Sequence, residues 1–423
     1  MQPNTRLPIL ATLTVAALGC GEATEEPDRT GSAPASATVS TTDSAGVDIV
    51  QISDLGALDL PGLNLTLLYS TAADIELNHV VGAVFLPDSS LAIADGGSSE
   101  VVFPDQQGGE RHRTGREGEG PGEYVDMASI GVDASGTLSV FDDRLQRFTF
   151  LDAEGGVTGV RRIQLNEAYV PLVHLAGGGF VAVLETRPFR PLGLQRGPLF
   201  LVVFDQEGEV ADTLGRWAGK ERRVSPDQMT VVGFGATTLY AGRGSHAVLA
   251  TTDSVNVTLY GASTPLTRIR GGNAPREVTS DEKEAWTDLY LEVFPEDLRP
   301  SQRRRLEQAG VRDTYPAIGA LRVDAGGSIW LGGYPRLNDL ERVWTVLGPD
   351  GIPVGRLSLP VYRAELLRVR DGGITGWASL ELETSIPSTS HELLDVAAGR
   401  FAVLRKGEMG EEFIEVYSVE LPR

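Results

Sequence analysis

Residues 128–162 read ASIGVDASGTLSVFDDRLQRFTFLDAEGGVTGVRR, and this stretch decides the fold. Four short runs rich in β-branched and aromatic residues follow one another here, which are Ile130–Val132, Leu138–Val140, Arg147–Phe150 and Val157–Ile163, the last one ending just beyond the quoted stretch. Asp and Gly stand between these runs, because both accept the backbone angles of a tight turn. The stretch therefore predicts a four-stranded antiparallel sheet.

The last turn of this unit recurs along the chain. An apolar pair followed by Asp-x-x-Gly, or by a variant of it, stands at Phe103–Gly108, Phe150–Gly155, Val203–Gly208 and Val346–Gly351. Aligned on this turn, copies fall at positions 105, 152, 205, 261, 348 and 418. Repetition at roughly 50 residues is typical of propeller blades with their loops. We therefore predict an all-β fold, a six-bladed β-propeller over residues 47–423.

Two segments do not belong to the repeat. The run Thr279–Glu282 resembles a capping box, and apolar residues then recur at helical spacing up to Val293. A second helix is expected over Ser301–Ala309, where Gly310 ends it. These signals predict a two-helix insert at about 279–310, between blades 4 and 5. Val47–Ile52 reads as a strand without a blade, and we expect it to complete the last blade.

Residues 115–124, GREGEGPGEY, followed by the strands of the second unit, resemble the NHL-type six-bladed propeller. In that family a Gly-rich loop links successive blades, and an Asp after strand two and an Arg opening strand three hold the blade together. The resemblance implies structural roles for Gly120, Gly122, Asp142 and Arg147, the last two as an ion pair. The first unit departs from the pattern, with Asp95 but Glu100 in the Arg position, and this predicts a looser blade.

The same loop also invites comparison with a phosphate-binding loop. Its spacing fits neither a P-loop nor a dinucleotide fingerprint. Glu117, Glu119 and Glu123 would surround a bound phosphate with negative charge. A turn between blades is the favoured interpretation.

The N-terminus has the features of a targeting segment. An apolar stretch, Leu7–Leu18, follows Arg6 and is too short to span a membrane. The sequence Ala17-Leu-Gly-Cys20 resembles the lipobox of bacterial lipoproteins, and Cys20 is the only cysteine. We predict a lipoprotein-type signal peptide at 1–20, acylation of Cys20 and attachment to the cell envelope, with the outer membrane as the expected site. Ordinary secretion and a cytoplasmic location are the alternatives.

Residues 21–46 contain almost no large apolar side chain and are rich in Ser, Thr, Ala and Pro. Such a composition cannot bury a core, so a disordered tether is predicted. The whole chain has a formal net charge of −21 and a pI near 4.7. This excess of acid argues against nucleic acid as a partner, because phosphate binding requires a Lys/Arg surface. We expect a monomer.

No sequence motif identifies a catalytic residue or a metal site. None of the five histidines is paired at metal-ligand spacing with another, and no Gly-x-Ser-x-Gly elbow is present. Six-bladed propellers include calcium-dependent lactonases and a zinc lyase, so Glu76, Asn78 and Glu185 are weighed as axial ligands. A hydrolase or lyase that uses Ca²⁺ or Zn²⁺ at the axis is the alternative function; otherwise no cofactor is predicted.

The predicted insert carries an aromatic stripe, Trp286, Tyr290 and Phe294, at i, i+4 and i+8. Such a stripe either packs on the propeller face or caps the central channel and binds a ligand or partner. The basic run Arg303–Arg305 follows it, as a solvated helix face or a docking site for an acidic group. The favoured function is an envelope-associated module that binds or scaffolds a protein or a small ligand.

Overall fold

The computed structural model describes residues 37–71, 75–163, 169–175, 179–185, 192–226, 229–261, 264–292, 294–360, 391–397, 399–407 and 410–421. Strands predominate in these ranges and form six sheets of the propeller type. The predicted signal segment, with Cys20, lies outside the described residues.

Three strands precede the first predicted repeat, and each repeat then coincides with one sheet. These three are β1 (Val39–Ser44), β2 (Val47–Ile52) and β3 (Leu65–Ser70). The first sheet contains β4 (Val80–Phe85), β5 (Leu91–Asp95), β6 (Glu100–Pro104) and β7 (Glu110–Gly115). The second contains β8 (Met127–Val132), β9 (Leu138–Asp142), β10 (Arg147–Leu151) and β11 (Val157–Arg162). The third contains β12 (Tyr169–His174), β13 (Phe180–Glu185), β14 (Gly193–Phe204), β15 (Val210–Val224) and β16 (Met229–Val231).

The second half of the chain repeats this plan around a helical insert. The fourth sheet contains β17 (Thr238–Arg243), β18 (His246–Thr251), β19 (Val255–Tyr260) and β20 (Pro265–Gly271). The helices α1 (Ser280–Glu292) and α2 (Arg299–Ala309) follow it. The fifth sheet contains β21 (Ile318–Val323), β22 (Ile329–Gly333), β23 (Glu341–Leu347) and β24 (Pro353–Pro360). The sixth contains β25 (His391–Ala397), β26 (Arg400–Lys406) and β27 (Glu412–Val419).

The second strand of a sheet is buried on both faces. Every residue of β5 and β9 is buried, although side chains of one strand alternate between two faces. Hydrophobic clusters fill the gaps between successive sheets along the chain. The sheets are therefore packed face to face, with each one covered on both sides.

The row of sheets returns to its beginning. The first strand of each sheet contacts the first strand of the next, and β25 contacts β4. A further cluster joins Ala402 and Leu404 of the sixth sheet to Phe85 and Leu91 of the first. The first strands of the six described sheets thus contact one another in a cyclic order.

Aspartate side chains shape the outer turns as the repeat predicts. Asp152 Oδ1 accepts hydrogen bonds from the amides of Glu154 and Gly156, at 3.1 and 2.7 Å. Asp105 and Asp205 make the corresponding pair of bonds in their own turns. The glycine of each turn has a positive φ, for example +81° at Gly155, which a residue with a Cβ adopts only with strain.

The strand that completes the sixth sheet differs from the prediction. Val47–Ile52 pairs in parallel with β20 and so belongs to the fourth sheet. Leu65–Ser70 pairs antiparallel with β27 and completes the sixth. Between them, Leu63 contacts the fifth sheet through its amide, which donates to the carbonyl of Arg356 at 2.6 Å. The segment from β2 to β3 therefore crosses the outer strands of three sheets.

The predicted tether is shorter than expected at its C-terminal end. Val39–Ser44 forms β1, which pairs antiparallel with β2 through a turn at Ala45 and Gly46. This strand has no buried residue, so main-chain pairing rather than apolar burial accounts for it. The prediction of disorder over 21–46 is wrong for Val39–Ser44, and residues 21–36 lie outside the described part.

We expect Gly155→Ala to destabilise the protein more than Gly46→Ala does. The φ angles are nearly equal, +81° and +79°, so the backbone strain is similar, about 1–2 kcal/mol. A Cβ on residue 155 would lie 2.9 Å from Phe103 Cε2, whereas a Cβ on residue 46 meets no atom within 4 Å. Urea unfolding of the two variants measures the difference, expected at about 1–2 kcal/mol from overpacking. Equal losses would contradict this packing of the turn against the first sheet.

Candidate functional site

A cavity of about 190 Å³, called the axial cavity below, lies where the first strands of all six sheets meet. The first strand of every sheet, β4, β8, β12, β17, β21 and β25, contributes to its lining. Small residues, among them Gly82, Gly131 and Gly242, belong to this lining. They allow close approach, since a Cβ on residue 82 would already lie 3.1 Å from Ile130 Cγ2. The strands converge closely and still leave a partly open space between them.

An ion pair in the lining of this cavity joins the first strands of two sheets that are not neighbours. Arg243, from the fourth sheet, places Nη1 3.2 Å from Asp395 Oδ2 of the sixth sheet. Its Nη2 donates to the carbonyl of Phe85 in the first sheet at 2.5 Å. The amide of Phe85 in turn donates to Asp395 Oδ2 at 2.8 Å. Burial raises the pKa of the Asp395 carboxyl above its ordinary value, and the nearby Arg243 opposes this shift.

A buried histidine lines the same cavity. His174 Nδ1 lies 3.7 Å from Asp133 Oδ2, and its ring packs on Phe150 with centroids 4.7 Å apart. Both ring nitrogens are buried and have no hydrogen-bond partner. Burial lowers the pKa of the imidazole, although the Asp133 carboxylate acts in the opposite direction. His174 is therefore held as a neutral base with an unused donor.

A second charged pair, less buried than the first, also contributes to the lining. Arg322 Nη2 lies 3.4 Å from Glu392 Oε1, and the Glu392 side chain is 54% exposed. Arg322 also donates to the carbonyls of Leu321 and Leu394. With His174 neutral, the two arginines and the two carboxylates of Asp395 and Glu392 balance in charge.

The fifth sheet contains a buried arginine that is not among the residues lining the cavity. Arg342 is 7% exposed, and its Nε and Nη2 have no hydrogen-bond partner. Its guanidinium lies 5.9 Å from the Trp344 ring centroid. Burial lowers the pKa of Arg342 to about 10.

The Gly-rich loop is held by its own second-sheet residues. Arg147 donates to the carbonyls of Glu119 and Gly120, at 2.6 and 2.8 Å, and to that of Glu123. Asp142 Oδ2 accepts from the amides of Val125 and Asp126, at 2.7 and 3.1 Å. The prediction of an Asp142–Arg147 ion pair is wrong in this detail. The two side chains act in parallel, each binding the loop backbone.

The loop glycines serve the turn. Gly120 donates its amide to Glu123 Oε2 at 2.7 Å, so this carboxylate occupies the position that a phosphate would need. Gly122 has a φ of +74°, and a Cβ there would lie 2.9 Å from Val157 Cγ2. Both observations agree with a connecting turn.

The first sheet is held together by contacts that differ in part from those of the second sheet. Asp95 accepts from the amides of Asn78 and Gly97, as Asp142 does in its own sheet. Glu100, in the position where Arg was expected, forms an ion pair with Arg113 at 2.7 Å.

The aromatic stripe of the insert packs on the loops beside the fourth and fifth sheets. Trp286 is buried, with its ring 5.8 Å from Phe234 and 5.5 Å from Tyr290. Tyr290 and Phe294 are partly buried, and none of the three lines the cavity. The insert is fixed to the third sheet by Arg312, which forms a salt bridge with the buried Glu221. The structure thus brings this stripe to a packing surface and not to the axis.

The residues weighed as axial ligands do not converge. Glu76 and Asn78 are exposed, and Glu185 accepts from the amide of Lys220 at 2.8 Å; none of them lines the cavity. In the described part of the chain, no group of three or more His, Cys, Asp or Glu is placed to hold a metal ion.

Sequence reasoning treated His174 only as one of the five histidines without metal-ligand spacing, and it missed Arg243 and Asp395. One signal was available, because each is a charged residue in a first strand that is otherwise mostly apolar or small, as in Tyr240-Ala-Gly-Arg243 and Leu393-Leu-Asp395-Val. A charge at such a position needs a partner from elsewhere in the fold.

Comparisons with known proteins give distant likenesses. No protein-family model and no curated protein matches the chain. A solved structure of a "putative exported protein" of Bacteroides fragilis is 13% identical, with a TM-score of 0.45, covering 89% of this chain and 100% of that one. A DUF4221 family member of Bacteroides vulgatus is 11% identical, with a TM-score of 0.43, and covers 86% and 100%. A gluconolactonase of Xanthomonas campestris is 12% identical, with a TM-score of 0.38, and covers 88% and 92%. Likenesses this distant assign no activity.

Among the described residues, neither helix has the length and apolar character required to cross a membrane.

Arg147 and Arg342 each lie near the start of the third strand of their own sheet, so substituting them gives a matched test of these contacts. Arg147→Met should lower the free energy of unfolding by about 3 kcal/mol, because three loop carbonyls lose a charged donor. Arg342→Met should change it by less than about 1 kcal/mol or increase it, because no hydrogen bond is lost and a buried charge is removed. Denaturant unfolding measures both. Similar losses in the two variants would contradict the different roles assigned here.

Proposed function

We propose that this chain is an exported binding protein, a closed six-bladed β-propeller that holds a small polar ligand in its axial cavity. One observation carries the proposal: a cavity lined by all six first strands contains two buried charged groups, Arg243 and Asp395. Propeller scaffolds and other concave sites bind ligands where a few polar groups converge in an enclosed space. The cyclic contacts of the first strands support the closed ring.

The size of the cavity sets the class of ligand. At about 190 Å³ it is smaller than the roughly 300–1,000 Å³ of drug-sized sites. It is slightly larger than an engineered protein cavity of about 150 Å³ that holds benzene. A metabolite of this size fits, whereas a peptide or an oligosaccharide would require another surface.

The metal-dependent hydrolase or lyase remains the rival function. It requires oxygen or nitrogen ligands within about 2.5 Å of one ion. The buried carboxylate of Asp395 is already shared by Arg243 and the Phe85 amide, which favours the binding protein over a metal enzyme.

The location of the protein belongs to the same proposal. Attachment to the envelope through an acylated Cys20 rests on the lipobox-like sequence. The first described strand, β1, begins at Val39, so a stretch of fewer than 20 residues would separate the anchor from the folded body. We propose a monomer, with no nucleic-acid partner, consistent with the net charge of −21.

A ligand panel tests the binding function. The melting temperature of the full chain is measured with monosaccharides, amino acids and small organic acids, and with Ca²⁺ and Zn²⁺ against EDTA. A ligand at 100 times its dissociation constant stabilises the folded state by about 2.7 kcal/mol. We expect at least one metabolite to raise the melting temperature of the wild type.

Two tryptophan variants locate the site. Ala128 is exposed and lines the cavity, so Ala128→Trp should fill it and abolish the shift. Ala153 is exposed in an outer turn, and Ala153→Trp should leave the shift unchanged. A shift that persists in Ala128→Trp would place the ligand elsewhere, and a shift produced by a metal alone would favour the enzyme.

The lipid anchor is tested in a bacterial host that has an outer membrane. We expect labelled palmitate to mark the wild type and its membrane fraction to contain the protein. Cys20→Ser should be unlabelled and leave that fraction, because no other thiol is present. The double variant Cys20→Ser, Ser40→Cys, which moves the thiol, should also stay unlabelled. Labelling of either variant would contradict acylation at Cys20.

A further inference from the structure

Several buried nitrogen atoms that line the axial cavity have no hydrogen-bond partner. Arg243 Nη1 and both ring nitrogens of His174 are buried without a hydrogen-bond partner. These side chains are 8% and 7% exposed, and both line the cavity. Arg243 Nη1 is within ion-pair distance of Asp395, but that contact lacks hydrogen-bond geometry. The unsatisfied atoms at this site are all nitrogens.

The buried carboxylates in the cavity lining and beside it, Asp395 and Asp133, already accept hydrogen bonds. Asp395 Oδ2 accepts from the Phe85 amide and faces Arg243. Asp133 Oδ1 accepts from the amide and hydroxyl of Ser135 and from the Thr137 amide, at 2.7–2.9 Å. Among the buried groups, a ligand that donates hydrogen bonds would find one free acceptor, the unprotonated nitrogen of His174. A ligand that accepts them would find donors that the fold leaves unpaired.

Unpaired buried donors are costly to a folded protein, since each one loses its hydration without a replacement. The cost is recovered when a bound molecule supplies an oxygen acceptor. Among common ligand groups, a carboxylate is the best partner for a guanidinium, because its two oxygens match the planar N–H groups. A neutral imidazole contributes one further donor and adds no charge to the site.

We propose that the axial cavity recognises a small monocarboxylate, whose oxygens accept from Arg243 Nη1 and His174. The remainder of the ligand lies against the small and aliphatic residues of the first strands, such as Val81 and Ile130. The cavity volume limits that remainder to a short chain or a single ring. This inference rests on the proposed binding function and specifies its ligand.

The test compares acids with amides of the same shape. Propionate, lactate and benzoate are titrated into the full chain by calorimetry, each beside propionamide, lactamide and benzamide. An amide keeps the shape of the carboxylate but lacks its charge and one acceptor oxygen. We expect at least one acid to bind at least about tenfold more tightly than its amide, the effect of losing a charge-assisted hydrogen bond.

Variants assign the binding to the named residues. Arg243→Lys keeps the charge and removes the planar fork, and should weaken the acid at least about tenfold. His174→Gln, which keeps a donor in a different place, should weaken it several-fold. Arg216→Lys is the matched control, because Arg216 is exposed on β15 and far from the cavity lining; it should bind like the wild type. If Arg243→Lys does not fold, the acid–amide comparison and His174→Gln still decide the question.

The outcomes separate this inference from the proposed function. Equal binding of acid and amide, or binding of neutral metabolites alone, would overturn the carboxylate and leave an axial binding protein. Acid binding unchanged by both Arg243→Lys and His174→Gln would overturn the assignment to these residues. If no acid, amide or panel metabolite binds, the proposed function fails as well.

Discussion

The whole architecture depends on strands that are apolar on both faces. β5 and β9 are buried throughout, so each requires packing partners on two sides. A neighbouring sheet on either side provides them, but a simple row of such sheets would leave two apolar faces at its ends. The cluster that joins Ala402 and Leu404 to Phe85 and Leu91 removes those ends. The packing of the sixth sheet on the first therefore follows from the hydrophobic effect.

The same packing of neighbouring sheets creates the axial cavity. The first strands converge where their residues are small, and side chains from distant parts of the chain meet in the space that remains. Arg243 of the fourth sheet reaches Asp395 of the sixth and the backbone of Phe85 in the first. Electrostatic interactions are strong at such a buried site. Hydrogen-bond donors that the fold leaves without acceptors can therefore be satisfied by a bound ligand. The Gly-rich loop, in contrast, is satisfied internally by Arg147 and Asp142.

The turn chemistry was predictable because it is local. Asp152 bonds to amides two and four residues ahead, and Gly155 supplies the positive φ, so a few residues suffice. The partner of a strand was not predictable in this way. Val47–Ile52 read as a strand without a blade, and no motif identified Leu65–Ser70. The sheets that these two strands join depend on the path of the chain past the outer strands. The packing partners of the aromatic stripe were not predictable either, because helical spacing identified Trp286 but not the distant Phe234 that it contacts.

The amino-acid sequence by itself determined the repeated four-strand unit, the turns that separate its strands and the helical signals near Trp286. All of these arise from short-range backbone preferences and from the alternation of apolar side chains. Only the tertiary structure decided that Arg243, Asp395 and His174 line one cavity, and that Arg147 binds loop carbonyls and not Asp142. Those contacts join residues far apart in the chain. Their geometry is fixed by how the sheets pack, which no local pattern encodes.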